Sequence, residues 1–271
     1  MNLRRLALIA GVGMLLSSGG RAMAQTPPVD SVVAAAQRVL AECDSQIVEM
    51  TFVTLVHERE VRDDGTIKHE KSFKSRIFVR DKEAHAYLEA MWEDGEPVTA
   101  SRLADEQKKR EKARRKRLEE LRGSTEDGHG EGSRALSMLQ PFLPGHSGNY
   151  EFPEVAADTV NGIPCWRVVV NPRSDEGRLV RGHLWVEQES YRAVAEEYVI
   201  PDLPGPPGES TVLLEHVPLL DDCAVPRHML VRGKGKAFFF ISFNFELEMF
   251  LDSVQVNPGL ADSLFAVPDE N

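Results

Sequence analysis

The chain lacks every motif by which a catalytic centre usually shows itself in sequence. Its eight histidines are scattered without an HExxH pair, and there is no GxSxG elbow, no phosphate-cradling glycine loop and no Cys-His arrangement in recognisable surroundings. His183 and Glu187 fall on one side of a strand, but four residues of strand separate them by ~13 Å, too far for a dyad. The expectation is a protein that is not an enzyme, with no metal and no cofactor. Long apolar runs are also scarce. The one at Leu6–Leu16 follows Arg4 and Arg5 and closes on the small residues Ala22-Met23-Ala24, the three-part pattern of a secretory signal rather than of a spanning helix. Residues 1–24 therefore read as a signal peptide, and the mature chain as a periplasmic protein from Gln25 to Asn271. No cysteine follows the apolar run, so a lipid-modified N-terminus of the bacterial lipoprotein kind is not expected.

Positive charge is in deficit. The formal charge is −11, and losing Arg4, Arg5 and Arg21 with the signal takes it to −14, which argues against general nucleic-acid binding. Cysteine is sparse and odd in number. Cys43, Cys165 and Cys223 fit neither a metal knuckle nor a redox pair by spacing, so they read as small buried hydrophobes, and at least one has no partner within the chain.

What is present is mostly strand. Asp30 and Ser31 offer an N-cap to a short amphipathic helix carrying Val32, Val33, Ala36, Val39, Leu40 and Cys43. From Ile47 the apolar period becomes two. Met50, Phe52 and Val56 share a side, Asp63-Asp64-Gly65 turns the chain, and a return strand runs through Phe73, Ile77 and Val79. A third strand, about 84–92, ends at Asp94-Gly95-Glu96-Pro97. Residues 101–122 then read as a solvated, strongly basic helix with acid-before-base pairs Asp105/Lys109, Glu106/Arg110 and Glu111/Arg115, followed by a glycine-rich linker at 123–133 and a short apolar helix at 134–139. Further strands are expected at 166–170, 179–186, 193–200, 211–217, 227–231 and 237–256. Hairpin-linked antiparallel strands with a few helices make an α+β protein, or a half-closed barrel with helices over its mouth.

The stretch Lys236–Phe250, KAFFFISFNFELEMF, raises the functional question. Read as a strand, Phe239, Ile241, Phe243, Phe245, Leu247 and Met249 form a wholly apolar face, opposite Phe238, Phe240, Ser242, Asn244, Glu246 and Glu248. That face either packs on the protein's own core or lines a cavity for a foreign hydrocarbon.

Three segments resemble exported bacterial proteins of the periplasmic lipoprotein-carrier, LolA/LolB-like superfamily, including outer-membrane lipoprotein-sorting proteins. They are the turn Asn161-Gly162-x-Pro164 entering a strand with Trp166, the strand Gly182-x-Leu184-Trp185-Val186, and the proline-led strand before the phenylalanine-rich one. The region Arg62–Arg122 also looks like a subgroup of these proteins. The resemblance implies one half-barrel domain over 25–271, with the basic helix and linker inserted at 99–133, and helices serving as a lid. It further implies non-catalytic binding or carriage of a lipid, a lipidated protein or another apolar ligand. Phe239, Ile241, Phe243, Phe245, Leu247, Trp166 and Trp185 are the expected ligand-binding residues. The alternative is an envelope interaction or sensing module with a filled core. It would meet an anionic membrane or an acidic protein through Lys108, Lys109, Arg110, Lys112, Arg114, Arg115, Lys116 and Arg117.

Overall fold

The computed structural model describes residues 26–80, 83–123, 140–143, 145–174, 179–201, 209–220, 223–237 and 241–265. The signal segment, the glycine-rich linker and the short helix expected at 134–139 lie outside these residues.

Helix α1, Val29–Gln46, places Val32, Val33, Ala36 and Cys43 on its buried side, as the 3.6-residue period dictates. Its N-cap is Pro28 rather than Asp30 or Ser31. Proline's fixed φ suits a helix entry, and Ser31 Oγ donates to the Pro28 carbonyl at 2.7 Å instead of capping. Asp30 stays in the first turn, where a negative charge suits the helix dipole.

Twelve antiparallel strands follow: β1 Glu49–Val61, β2 Ile67–Arg80, β3 Glu83–Glu93, β4 Glu96–Pro97, β5 Tyr150–Glu151, β6 Val155–Val160, β7 Ile163–Pro172, β8 Arg181–Glu187, β9 Ala193–Pro201, β10 Glu209–Leu220, β11 Cys223–Ala237 and β12 Ile241–Val256. Their order is β4-β3-β2-β1-β12-β11-β10-β9-β8-β7-β5, with β6 also on β7, so the first long strand pairs with the last and the ends at β4 and β5 do not meet. This is the expected α+β half-barrel. The Asp94-Gly95 and Asn161-Gly162 turns have positive φ at both residues, the conformation a two-residue hairpin needs to match strand twist.

Three elements differ from expectation. Strand β6 was not foreseen, although a two-residue turn at Asn161-Gly162 requires a strand on each side. Strand β11 runs on past residue 231, the expected end, through Gly233 and Gly235 to Ala237. The Phe245 ring occupies the space over Gly233: a Cβ there would sit 2.6 Å from Phe245 Cζ. The phenylalanine-rich stretch is not one strand, because Ala237 ends β11 and pairs with Ile241 at the start of β12.

Cys43 and Cys223 form a disulfide rather than being only small buried hydrophobes, and Cys165 is the buried thiol that the odd count leaves without a disulfide partner. Residues 180 apart in sequence are brought to a Cα separation of 5.1 Å by docking of α1 on the sheet, which no local spacing could reveal. Helix α2, Ala100–Gly123, is the expected basic helix. It lies along β3, and its Gln107 Oε1 accepts the Leu88 backbone N–H at 2.8 Å.

Candidate functional site

The register aligns one concave face across the sheet, through Val168, Leu184, Glu196, Leu214, Met229, Met249, Val56 and Phe73 in successive strands. Its two halves are covered differently. Over β7–β9, α1 packs Val32, Val33 and Ala36 against Phe142, Tyr150, Trp166, Val168, Leu184 and Tyr198. A space between α1 and the sheet, beside Leu40, Cys43 and Val186, measures about 30 Å³, enough for one water.

Over β1–β3 and β12 the face is open. A cleft of about 340 Å³ is lined by Phe52, Thr54, Val56 and Glu58 of β1, Phe73, Ser75 and Ile77 of β2, Ala84 and Ala86 of β3, Met249 and Leu251 of β12, Pro226 of β11 and Arg110 of α2. Period-two alternation puts these side chains on the same side. The paired positions Thr54 and Ser75 supply little polarity, because Thr54 Oγ1 donates to the Ser75 carbonyl at 3.4 Å. The Arg110 guanidinium lies 4.5 Å from the Phe73 ring centroid, and its Nε donates to Glu106 Oε1 at 3.2 Å. A cation is thus held over an aromatic floor at the edge of the cleft.

Helix α2 reaches the sheet with one row of side chains, Leu103, Gln107, Arg110 and Arg114, at helical spacing. Leu103 packs on the cluster of Phe73, Leu88 and Met91. Arg114 donates to Glu83 Oε1 at 2.6 Å and to the Phe265 carbonyl at 3.2 Å. His85 stands between Glu111 Oε2 of α2, 3.5 Å from Nε2, and the Leu264 carbonyl, 2.5 Å from Nδ1. Three of the four row residues are polar or charged, so the attachment of α2 rests mainly on hydrogen bonds and ion pairs.

The residues singled out from the sequence are dispersed. Leu247 joins Val212, Leu214, Met229, Val231 and Met249 in the core beside the cleft. Phe245 covers Gly233. Ile241 and Phe243 lie on the β12 backbone opposite Ala237 and Gly235, with side chains outside the described set; Phe239 falls wholly outside the described residues. Trp166 is buried beneath α1. Trp185 is on the opposite, convex face, where its Nε1 donates to Asp158 Oδ2 at 2.8 Å and its ring meets His183 at 5.6 Å. The two tryptophans separate because Trp166 pairs with Val186 and Trp185 with Arg167 in alternating register. The cleft residues that sequence reasoning missed, Phe52, Val56, Phe73 and Ile77, were visible as the apolar side of β1 and β2. Nothing local marked them as uncovered.

On the convex face the same β12 strand turns out Glu246 and Glu248. Arg59 binds Glu70 at 2.6 Å and both of these carboxylates at 2.7 Å, Arg232 binds Glu246 at 2.8 Å, and His228 binds Glu248 at 3.0 Å. Burial pushes both carboxyls up, but the bonds from Arg232 and Arg59 to Glu246, and from Arg59 and His228 to Glu248, outweigh it and hold them below the usual carboxylate range. A second polar pair is sealed inside. His216 Nε2 lies 2.7 Å from Glu196 Oε1, with both side chains almost wholly buried. Tyr198 is pushed well above the usual phenol range by burial and by the adjacent Glu196. Among the described residues no group of three or more His, Cys, Asp or Glu side chains could hold a metal ion, and no helix is long and apolar enough to cross a membrane.

No protein-family profile matches the chain, and no curated protein matches it in sequence. Solved structures similar to it include a DUF1329 family protein from Desulfovibrio piger ATCC 29098, 14% identical over 89% of this chain and 98% of that one, with a TM-score of 0.40. A putative outer membrane lipoprotein-sorting protein domain from Vibrio parahaemolyticus is 10% identical over 88% and 97%, also at 0.40. A LolA superfamily protein from Nitrosomonas europaea is 10% identical over 90% and 98%, at 0.34. These names coincide with the lipoprotein-carrier resemblance of the sequence, but at such identities and TM-scores they carry no argument about ligand or partner.

Proposed function

We propose that the protein binds and carries a hydrocarbon-bearing ligand, a lipid or the acyl chain of a lipidated protein, in the cleft between α2 and the floor formed by β1, β2 and β12. The observation that carries this reading is the contrast between the space of about 30 Å³ under α1, beside Leu40, Cys43 and Val186, and the apolar cleft of about 340 Å³ under α2. That volume equals roughly eleven waters, room for one acyl chain rather than for a folded partner. Each methylene buried would contribute about 0.8 kcal/mol, so a single chain could be retained without polar recognition. Arg110, poised over Phe73, favours an anionic head group at the cleft edge. In this proposal the ligand site moves from the phenylalanine-rich start of β12 to Met249 and Leu251 near its end. Export to the periplasm belongs to the same proposal and rests on the N-terminal signal pattern.

The test is mass spectrometry of organic extracts from the purified chain beginning at Gln25, beside an Ile77→Trp variant that fills the cleft. A stoichiometric lipid in the parent and its loss from the folded variant is the expected result. An empty parent that also fails to take up a fluorescent fatty acid would overturn the reading.

A further inference from the structure

The cations of α2 are sorted by type. Between residues 108 and 116 the arginines, Arg110, Arg114 and Arg115, are half-buried on the sheet side or beside it, and their partners are Glu106, Glu111, Glu83 and the Phe73 ring. The lysines, Lys108, Lys109, Lys112 and Lys116, are all exposed, Lys109 with an ion pair to Glu106 at 3.8 Å. Lys108, Lys112 and Lys116 form an i, i+4, i+8 row on the outer side, and Lys109 stands beside it with 81% of its side chain exposed. The division follows from the two chemistries. A planar, weakly hydrated guanidinium suits fixed contacts with carboxylates and rings, whereas an ammonium is a strongly hydrated point charge.

We propose that this lysine row is a docking surface for an anionic phospholipid bilayer. Charge complementarity selects the partner, because the row is a concentrated positive strip on a chain whose formal charge is −11, which gives an anionic surface a place to bind. Its surroundings select a bilayer over an acidic protein. Among the described side chains of α2, the exposed residues neighbouring the lysines are small or polar, Ser101, Ala104, Asp105 and Ala113, with no aromatic or large aliphatic anchor to form an interface core. Lysine is depleted at protein interfaces, whereas a strip of exposed ammonium groups matches a fluid array of head groups. The contact through this row is electrostatic. Docking on this side places the cleft's cover at the membrane surface. The inference stands whether or not the cleft holds lipid.

Vesicle co-sedimentation of the chain from Gln25 tests it. Vesicles of phosphatidylglycerol and phosphatidylcholine should bind the protein at low ionic strength and release it near 0.5 M salt, where screening acts within ~4 Å; pure phosphatidylcholine vesicles should not bind it. The triple variant Lys108→Gln, Lys109→Gln, Lys112→Gln should partition on the order of a hundredfold more weakly, and the same three positions changed to Arg should bind like the parent. Equal binding to neutral vesicles, no loss in the Gln variant, or capture by soluble polyglutamate in place of the anionic vesicles would overturn it. The Gln variant should keep its fatty-acid uptake, and Ile77→Trp should keep its vesicle binding, so failure of docking and failure of carriage are read separately.

Discussion

Two helices cover the same concave sheet, and they do so by different physics. Helix α1 buries Val32, Val33 and Ala36 in a dry cluster and is tied down by the Cys43–Cys223 disulfide. Helix α2 meets β3 through Leu103, Gln107, Arg110 and Arg114 and leaves the cleft beneath it open. Apolar burial and a covalent bond fix a cover permanently, whereas exchangeable polar bonds hold one that can be displaced. On the proposed function, the difference gives storage of stability to one half of the molecule and ligand traffic to the other.

The largest effect should come from loosening the fixed half. Reducing the disulfide, or Cys43→Ser with Cys223→Ser, should cost about 4 kcal/mol by releasing a long loop in the unfolded chain, measured by denaturant unfolding. Close behind, Glu196→Ala leaves His216 facing an unfilled site in the interior and should cost about 3 kcal/mol. If either variant were as stable as the parent, the contrast between the halves would lose its basis.

An intermediate effect should follow pH. Glu246 and Glu248 have folded pKa values below their unfolded ones, so the stabilisation they contribute is present above the unfolded value of about 4.3 and is lost as pH falls through the folded one. Unfolding midpoints recorded downward from pH 6 should fall most steeply below about pH 4, and Glu248→Gln should flatten that slope. The smallest global effect belongs to the displaceable half. Arg114→Ala should change overall stability by only about 1 kcal/mol, since its partners are partly solvated, while markedly raising proteolysis within 100–116. A full loss of folding in that variant would show α2 to be part of the core.

Much of this architecture was legible in the chain. Period-two alternation marked β1 and β2 and Asp63-Asp64-Gly65 the turn between them, Asp94-Gly95 and Asn161-Gly162 marked the turns into β4 and β7, and the charge-paired run 101–122 gave α2 nearly to its ends. What sequence could not give was coverage. The apolar sides of β1 and β7 look alike, and only docking of α1, recorded by a disulfide across 180 residues, makes one of them core and the other a cleft wall. Strand β11 continues beyond its expected end at 231 because Gly233, with no side chain, leaves room for Phe245 across the strand pair. The run Phe238–Phe245 drew attention by composition, yet the uncovered surface lies where Met249 and Leu251 face Phe52 and Val56. Likewise the basic run concealed two populations, because whether a cation between 108 and 116 is half-buried or exposed depends on which side of α2 meets β3.

Hydrogen exchange with mass-spectrometric readout, on the chain from Gln25 with and without a long-chain fatty acid, addresses the central contrast most directly. The amides of α1 from Val32 to Cys43 should exchange slowly in both states. Those of α2 from Leu103 to Arg114 should exchange fast without ligand and become protected with it, together with β1 and β2. Equal protection of the two helices before ligand is added, or ligand protection confined to α1 and β7–β9, would contradict the account.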